Sequence, residues 1–371
     1  MRLGLTPGAR PAILAASMNA ASKTEPQAAA PEPQAGAPPL RHGARWAAAV
    51  LAVLAVLLGA GWLAAPVLLW AYDLERAGGL SDAGLAWPVP RRADSLPHAR
   101  DAATLERALP LLAAATRHRP AHPHAYRLSG QVYAALGDWD RAATSYEQAV
   151  ALAPDNPLLR YEASLVYSRM DEISRTAPRT PIIDQLLDGR LDAPGRLIKS
   201  QFCSDRGAET CYLGRVTYRQ GFANDPAAPA LETQAIFLHP PASLTASLAV
   251  PKDQPALHFV VGLDPAAHDW ATNGASFRVW VAPVGGQRTR VADLPIDRAT
   301  AQRGWVPGWA DLAPWAGQTV QLTLESHPGP AGDAADDWYA WGDLAFTTPE
   351  AARYATVPLA ERARDLRRGI R

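Results

Sequence analysis

Cysteine is nearly missing from this chain of 371 residues, which holds only Cys203 and Cys211. They form no C-x-x-C pair, which excludes a zinc ribbon and a thioredoxin-like redox site. Lysine is almost as scarce, confined to Lys23, Lys199 and Lys252, so nearly all the basic charge is arginine. Net charge is missing too: 36 basic and 36 acidic residues cancel, and no overall field draws the protein to nucleic acid. There is no Walker phosphate loop, no H-E-x-x-H helix and no Ser-His-Asp pattern. No catalytic residue is nominated, and a binding protein rather than an enzyme is expected.

Charge is also absent over 27 consecutive residues, Trp46 to Tyr72, WAAAVLAVLAVLLGAGWLAAPVLLWAY. Crossing a hydrocarbon core of about 30 Å takes about 20 apolar residues in helical form. Backbone groups find no water there, so the segment must be a helix. Trp46 at one end and Trp70 and Tyr72 at the other suit an interfacial aromatic belt. A buried core helix is the plainer reading, but core helices are shorter and amphipathic. A cleaved signal peptide would have an apolar region of about 7–15 residues, so an uncleaved signal anchor of the plasma membrane is expected over residues 46–72. Arg41 and Arg45 favour a cytoplasmic N-terminus, with Asp73, Glu75 and Arg76 beyond the span, although Arg91 and Arg92 cancel the bias over a wider window. Residues 1–45, with the stretch EPQAAAPEPQAGAPPL, have almost nothing to bury and read as a disordered tail whose start is Met1 or Met18.

Residues 90–190 read as helical. From Pro123 the sequence PHAYRLSGQVYAALGDWDRAATSYEQAVALAPD carries small residues at Gly130, Ala142 and Ala149, tyrosines at 126, 133 and 146, a Gly137-Asp138 turn and Pro154 after the second helix. This pattern resembles a 34-residue tetratricopeptide repeat. One period back, Ala108, Leu112, Ala115 and Pro120 fit a second helix, with Pro110 marking a kink or a late start. One period forward, Ala163 and Tyr167 fit a first helix, but Thr176, Thr180 and Ile183 do not supply its partner. The expectation is one repeat flanked by two halves, a short all-α stack serving either as a groove for a protein partner or as a rigid spacer. His118, His122 and His124 in RHRPAHPH could ligate zinc, but no accompanying carboxylate is evident and solvated loop histidines are the plainer reading.

Residues 205–348 alternate as strands do. Leu257, Phe259, Val261 and Leu263 share one face, as do Phe277, Val279 and Val281, and Val320, Leu322 and Leu324, while Leu244, Leu248 and Val250 add another strand. Strands at this spacing, broken by Gly and Pro, make an antiparallel sandwich. The run AIFLHPPASLTASLAVP, LHFVVGLDP, NGASFRVWV, then Asp311-Leu312 through Trp315-Ala316-Gly317-Gln318 and Asp337-Trp338 through Trp341-Gly342-Asp343 resembles the galactose-binding-like jelly roll of bacterial carbohydrate-binding modules. It is similar to the module some glycosyl hydrolases carry as an extra domain. One departure is Asn273-Gly274 where that family often has Asp-Gly. The resemblance implies a glycan partner, though the fold hosts many functions.

Seven tryptophans lie in this segment, and sugars stack their C–H faces on such rings. Alternation puts Trp338 with Leu344 and Phe346 on the core face, and Trp280 and Trp341 on the opposite face beside Arg278 and Asp343. These four form the expected carbohydrate site, against the plainer reading that the rings pack the core. Asp336 and Asp337 in GDAADDWYAWGD could hold a structural calcium, the one cofactor considered. Cys203 and Cys211 enclose the polar segment SDRGAET and would bridge in an oxidising compartment, or stay free thiols. Residues 349–371, with RYATVPLAERARDLRRGIR, read as a basic tail, solvated or against anionic lipid.

The whole is expected to be a multidomain, single-pass membrane protein with its arm outside the cytoplasm. It would bind an envelope glycan through the sandwich, a protein through the helices and lipid through the span. The alternatives are a protein-interaction module without sugar binding and an accessory subunit of glycan-processing machinery.

Overall fold

A computed structural model describes residues 42–88, 95–192, 215–220, 231–263, 267, 272–301, 304–329, 332–368 and 370. The chain divides into two compact units, Met1–Leu63 and Ala64–Arg371. In the first, the described residues are helical and belong to α1 (His42–Gly84). Its side chains from Val50 onward are largely exposed apolar groups. Among the described residues, this one helix is long and apolar enough to cross a membrane.

The second unit contains the rest of α1, whose helix does not stop at Tyr72 as the charge pattern suggested. Ala77 is buried, and Leu74 and Leu85 join it against Leu105, Leu112 and Val132. Those contacts explain the continuation, because residues 73–84 carry their own apolar positions and pack on α2 (Ala102–His118). Pro110 lies inside α2, and the helix begins upstream of it at Asp101, whose side chain caps Thr104 N at 3.2 Å.

Helices α3 (Pro123–Ala135) and α4 (Trp139–Leu152) form the antiparallel pair of the repeat. Gly130 is required by close approach: a Cβ there would stand 2.7 Å from the Tyr146 ring. Tyr146 itself is fully buried, and Asp138 caps α4 through Arg141 N at 3.0 Å. Asn156 caps the next helix, α5 (Pro157–Thr176). Arg127 of α3 donates to Glu162 of α5 through Nε at 2.7 Å and Nη2 at 2.6 Å, a bidentate tie between neighbouring layers.

Beside α2, β1 (Leu85–Ala86) and β2 (His98–Ala99) form a short antiparallel pair. The sandwich begins earlier than expected. β3 (Thr180–Pro181), α6 (Ile183–Leu187) and β4 (Arg190–Asp192) already belong to it, since Ile182, Ile183, Leu186 and Leu187 lie in its core. Its other strands are β5 (Arg215–Gln220), β6 (Leu231–Phe237), β7 (Ala242–Ala249), β8 (Ala256–Leu263), β9 (Ala275–Pro283), β10 (Thr289–Ile296), β11 (Val306–Asp311), β12 (Thr319–Pro328) and β13 (Tyr339–Thr347), with the short α7 (Arg298–Ala301) after β10. One sheet runs β10-β9-β12-β7-β4 and the other β11-β8-β13-β6-β5, with β3 also on β13. All pairs are antiparallel. The alternating apolar residues of β7, β8, β9 and β12 meet between the sheets, where Leu257, Phe259, Val261, Phe277, Val279, Leu322 and Leu324 are fully buried.

The C-terminal segment is a second correction. Where a basic tail is expected over residues 349–371, residues 349–367 are not a solvated tail: α8 (Pro349–Tyr354) and α9 (Leu359–Arg367) fold back onto the repeat. Tyr354, Leu359 and Ala363 are buried with Ala142, Tyr146, Val166, Tyr167 and Met170. Three of the arginines there are committed to the helical layers. Arg353 pairs with Asp140, Arg362 reaches Glu147 at 2.7 Å, and Arg367 donates to Ser164 and Ser168 at 2.9 and 3.0 Å. α9 thus covers the face of α5 that no helix directly after Thr176 could cover.

Candidate functional site

The four residues expected to form a sugar site are not brought together. Arg278 and Trp280 are on β9 and project from the outer face of the five-stranded sheet. Their cross-strand neighbours there include Asp293, Arg290, Thr323 and Glu325. Trp280 Nε1 donates to Glu325, and the Arg288 guanidinium lies 4.0 Å from the indole centre. The ring face a sugar would use is covered by an arginine. Arg278 lies 3.7 Å from Asp293 and 3.8 Å from Glu325, so this patch is an internally paired network of rings and charges, with the buried Arg278 Nε making no hydrogen bond among the described residues.

Trp341 is in the core, not on the opposite face. It is fully buried, its ring 4.9 Å from Phe259 and 5.5 Å from Phe277, and its Nε1 donates to Ser326 Oγ at 3.0 Å. The cause is local. The register of β13 against β8 shifts between Gly342 and Ala345, and Asp343 takes a positive φ of 47°. One residue is inserted there, so Tyr339 and Trp341 point inward before the bulge while Leu344 and Phe346 point inward after it. Strict alternation fails across such an insertion.

Asp343 sits at that bulge on the six-stranded sheet and serves as a joint. It accepts from His258 Nε2 at 3.0 Å and pairs with Arg179, which also donates to Ser174 O at 3.2 Å near the end of α5. Burial pushes the Asp343 carboxyl up, but the hydrogen bond and charge of His258 and the Arg179 guanidinium outweigh it and hold the group below the usual carboxylate range. Thr347 Oγ1 donates to Pro178 O at 3.0 Å beside it. These contacts fasten the helical layers to the sandwich, which removes Asp343 from any sugar site.

Two other surfaces have the geometry of binding sites. At one corner of the six-stranded sheet, Ala235 and Ala340 are buried under the half-buried rings of Phe237 and Trp305. Gly262, paired with Ala340, is needed here: a Cβ on it would come within 2.6 Å of the Trp305 ring. Trp338 meets Phe237 edge-on at 6.1 Å. Three small residues on three adjacent strands thus make a shallow floor for large rings. Sequence reading passed over Trp305 and Phe237. The usable signal was outward-facing Ala235, Gly262 and Ala340 where polar residues would be ordinary.

The other surface is a groove of about 630 Å³ in the helical layers, lined by Trp139, Leu165, Arg169, Glu172, Arg367 and His98 among others. It combines an indole, apolar stems and both signs of charge, suited to a peptide more than to a purely apolar ligand.

Asp337 is fully buried, with Oδ1 accepting from Thr272 Oγ1 at 2.5 Å and Oδ2 without a partner. No group of three or more His, Cys, Asp or Glu that could hold a metal ion occurs among the described residues, and Asp336 stands at a φ of 64°. Burial, opposed by the Thr272 hydrogen bond and reinforced by Asp333 and Asp336, pushes the Asp337 carboxyl up to about 6. The ordinary value is about 3.9. The folded protein therefore holds this proton more tightly than the unfolded chain, and the associated stability is complete at about pH 4 and falls away as pH rises through about 6. Asp337→Asn is expected to flatten the fall in melting temperature across that window relative to the wild type. Superimposable pH profiles of melting would show that the side chain is not buried as described. Cys203 and Cys211, and the bridge expected between them, lie outside the described residues.

A tetratricopeptide (TPR) repeat family profile matches residues 130–171. No curated protein matches the chain. Among solved structures, the chain is similar to the CBM51-2 and INT domains of Clostridium perfringens ZmpB, at 14% identity over 46% of this chain and 32% of that one, TM-score 0.29. It is also similar to a CBM51 from Clostridium perfringens GH95 solved with methyl-galactose, at 13% identity over 47% of this chain and 97% of that one, TM-score 0.26. A third is a glycoside hydrolase family 43 arabinoxylan arabinofuranohydrolase from Bacillus subtilis in complex with cellotetraose, at 12% identity over 36% of this chain and 24% of that one, TM-score 0.23. The chain spans about a third of the length of the first of these.

Proposed function

We propose that this protein is a single-pass, membrane-anchored binding protein of a bacterial envelope, whose sandwich recognises a glycan. The observation that carries this reading is the aromatic corner formed by Trp305 and Phe237 over Ala235, Gly262 and Ala340, with Trp338, which packs against the inter-sheet core, edge-on to Phe237. Rings held in place by small residues beneath them lose little freedom on binding, and a sugar's C–H face can lie on them. Trp280 lacks that opportunity because Arg288 already covers it. The protein binds rather than catalyses, and needs no cofactor.

Trp305→Ala is expected to lower binding on a glycan array at least tenfold while leaving the melting temperature within a few degrees, because the ring is half-buried rather than central to the core. Glycan binding that survives Trp305→Ala, or its absence in the wild type, would refute the site.

A second reading is favoured by the groove along α5. The 630 Å³ hollow with Trp139, Arg169 and Glu172 would accept a protein segment, making the helical layers an adaptor as well as a support. The anchor is α1, with the N-terminus cytoplasmic and the arm outside. A reporter fused after Arg371 is expected to be active only when that reporter requires export, and cytoplasmic activity would reverse the topology.

A further inference from the structure

The last turn of α2, the loop after it and the first turn of α3 together contain Arg117, His118, Arg119, His122 and His124. Apart from His122, whose side chain caps α3 through His124 N at 3.3 Å, none of these serves the repeat or the sandwich. Their placement is specific. The Arg119 guanidinium lies 4.7 Å from the centre of the Trp70 ring, and the His122 ring meets the same indole at 4.6 Å. His118 Nε2 is 3.5 Å from Asp73. Trp70 ends the apolar run, just after Val67, Leu68 and Leu69, which are all exposed. Tryptophan at such a boundary sits at headgroup depth. Whatever is stacked on Trp70 must lie at that depth as well.

The charges there suit one partner. Arg117 is exposed, and neither it nor Arg119 meets a carboxylate among the described residues. Asp73 is already engaged by His118. Burial lowers the proton affinity of both His122 and His124, with the Arg119 charge adding to the first and the Arg127 charge to the second. The positive charge here is thus carried by the exposed Arg117 at the end of α2 and the half-buried Arg119 just after it. The Trp70 Nε1–H also finds no acceptor. The Arg119 guanidinium held beside an interfacial tryptophan, with the exposed Arg117 two residues before it, offers donors to phosphate oxygens.

We propose that the junction of α2 and α3 binds the phosphate of an anionic phospholipid headgroup beside Trp70, chiefly through Arg117 and Arg119. This rests on the reading of α1 as a membrane anchor. The bound lipid would fix the height of the helical layers above the bilayer at a second point besides the span.

The test uses the full chain in mild detergent with equal amounts of phosphatidylcholine and phosphatidylglycerol, with retained lipid counted by native mass spectrometry. The wild type is expected to retain phosphatidylglycerol preferentially. Arg117→Gln should cut that preference about fivefold and Arg117→Gln with Arg119→Gln about thirtyfold, the weight of one and two surface arginines. Arg298→Gln, an exposed arginine on α7, should leave it unchanged. Because Arg117 is exposed and outside the Trp70 stack, its single variant decides the matter if the double variant misfolds. Equal retention of both lipids by the wild type, or a preference that survives Arg117→Gln, overturns the headgroup site. Carbonate washing of membranes separates this from the anchor itself. Wild-type chain released by carbonate overturns the anchor and the headgroup site together, whereas chain that stays in the pellet without a lipid preference overturns the headgroup site alone.

Discussion

Trp341→Ala is expected to unfold the sandwich, not to abolish ligand binding on an intact one. The ring is fully buried between Phe259 and Phe277. Truncating such a residue costs about 3–5 kcal/mol through lost burial and the cavity left behind. Ser326 is also fully buried and receives the Trp341 Nε1–H at 3.0 Å, so the variant leaves a core hydroxyl without that partner, adding about 1–3 kcal/mol. Against a typical total of about 5–15 kcal/mol, the loss is decisive or nearly so. Near-ultraviolet circular dichroism during a thermal melt checks it, since tertiary packing around the indole is what disappears. A variant with an unchanged melting temperature would return Trp341 to the surface.

Removal of residues 349–371 should be at least as damaging, and to the helical layers first. Tyr354, Leu359 and Ala363 leave the cluster that also holds Tyr146, Val166, Tyr167 and Met170. A large aromatic and a leucine together account for about 5 kcal/mol or more. Asp140 and Glu147 lose Arg353 and Arg362, but those pairs are half-exposed and contribute little beside the packing. The expected outcome is a chain degraded in cells, or one whose helical signal melts well below that of the wild type. A truncated chain that melts as the full one does would mean that α8 and α9 do not close the stack.

Periodicity was the most readable property of the chain. The 34-residue spacing from Pro123 needs only local geometry, small residues where helices approach and caps where they begin, and α3 and α4 follow it. Alternation in β7, β8, β9 and β12 likewise needed nothing beyond the strand period, and their apolar sets are the buried ones. Both patterns failed where the partner is distant in sequence or the backbone breaks rhythm. The stack lacked a cover for α5 on paper because that cover arrives from residues 349–367, after an entire sandwich has intervened. Arg353 and Arg362 looked like solvated charge because their acidic partners, Asp140 and Glu147, are more than 200 residues away. Trp341 looked outward-facing because one inserted residue at Asp343 reverses the parity between it and Leu344.

The sequence by itself determined the elements that short-range physics can specify: an uncharged helix long enough for a bilayer, one helical repeat, and strands with one apolar face. Only the tertiary structure decided which rings are core and which lie half-buried at the surface. A tryptophan is apolar on every side, so its position in a strand period does not say whether a sheet, an arginine or solvent will meet it. For Trp341 a bulge turned it inward, for Trp280 Arg288 covered it, and for Trp305 three small residues on neighbouring strands left a half-open seat.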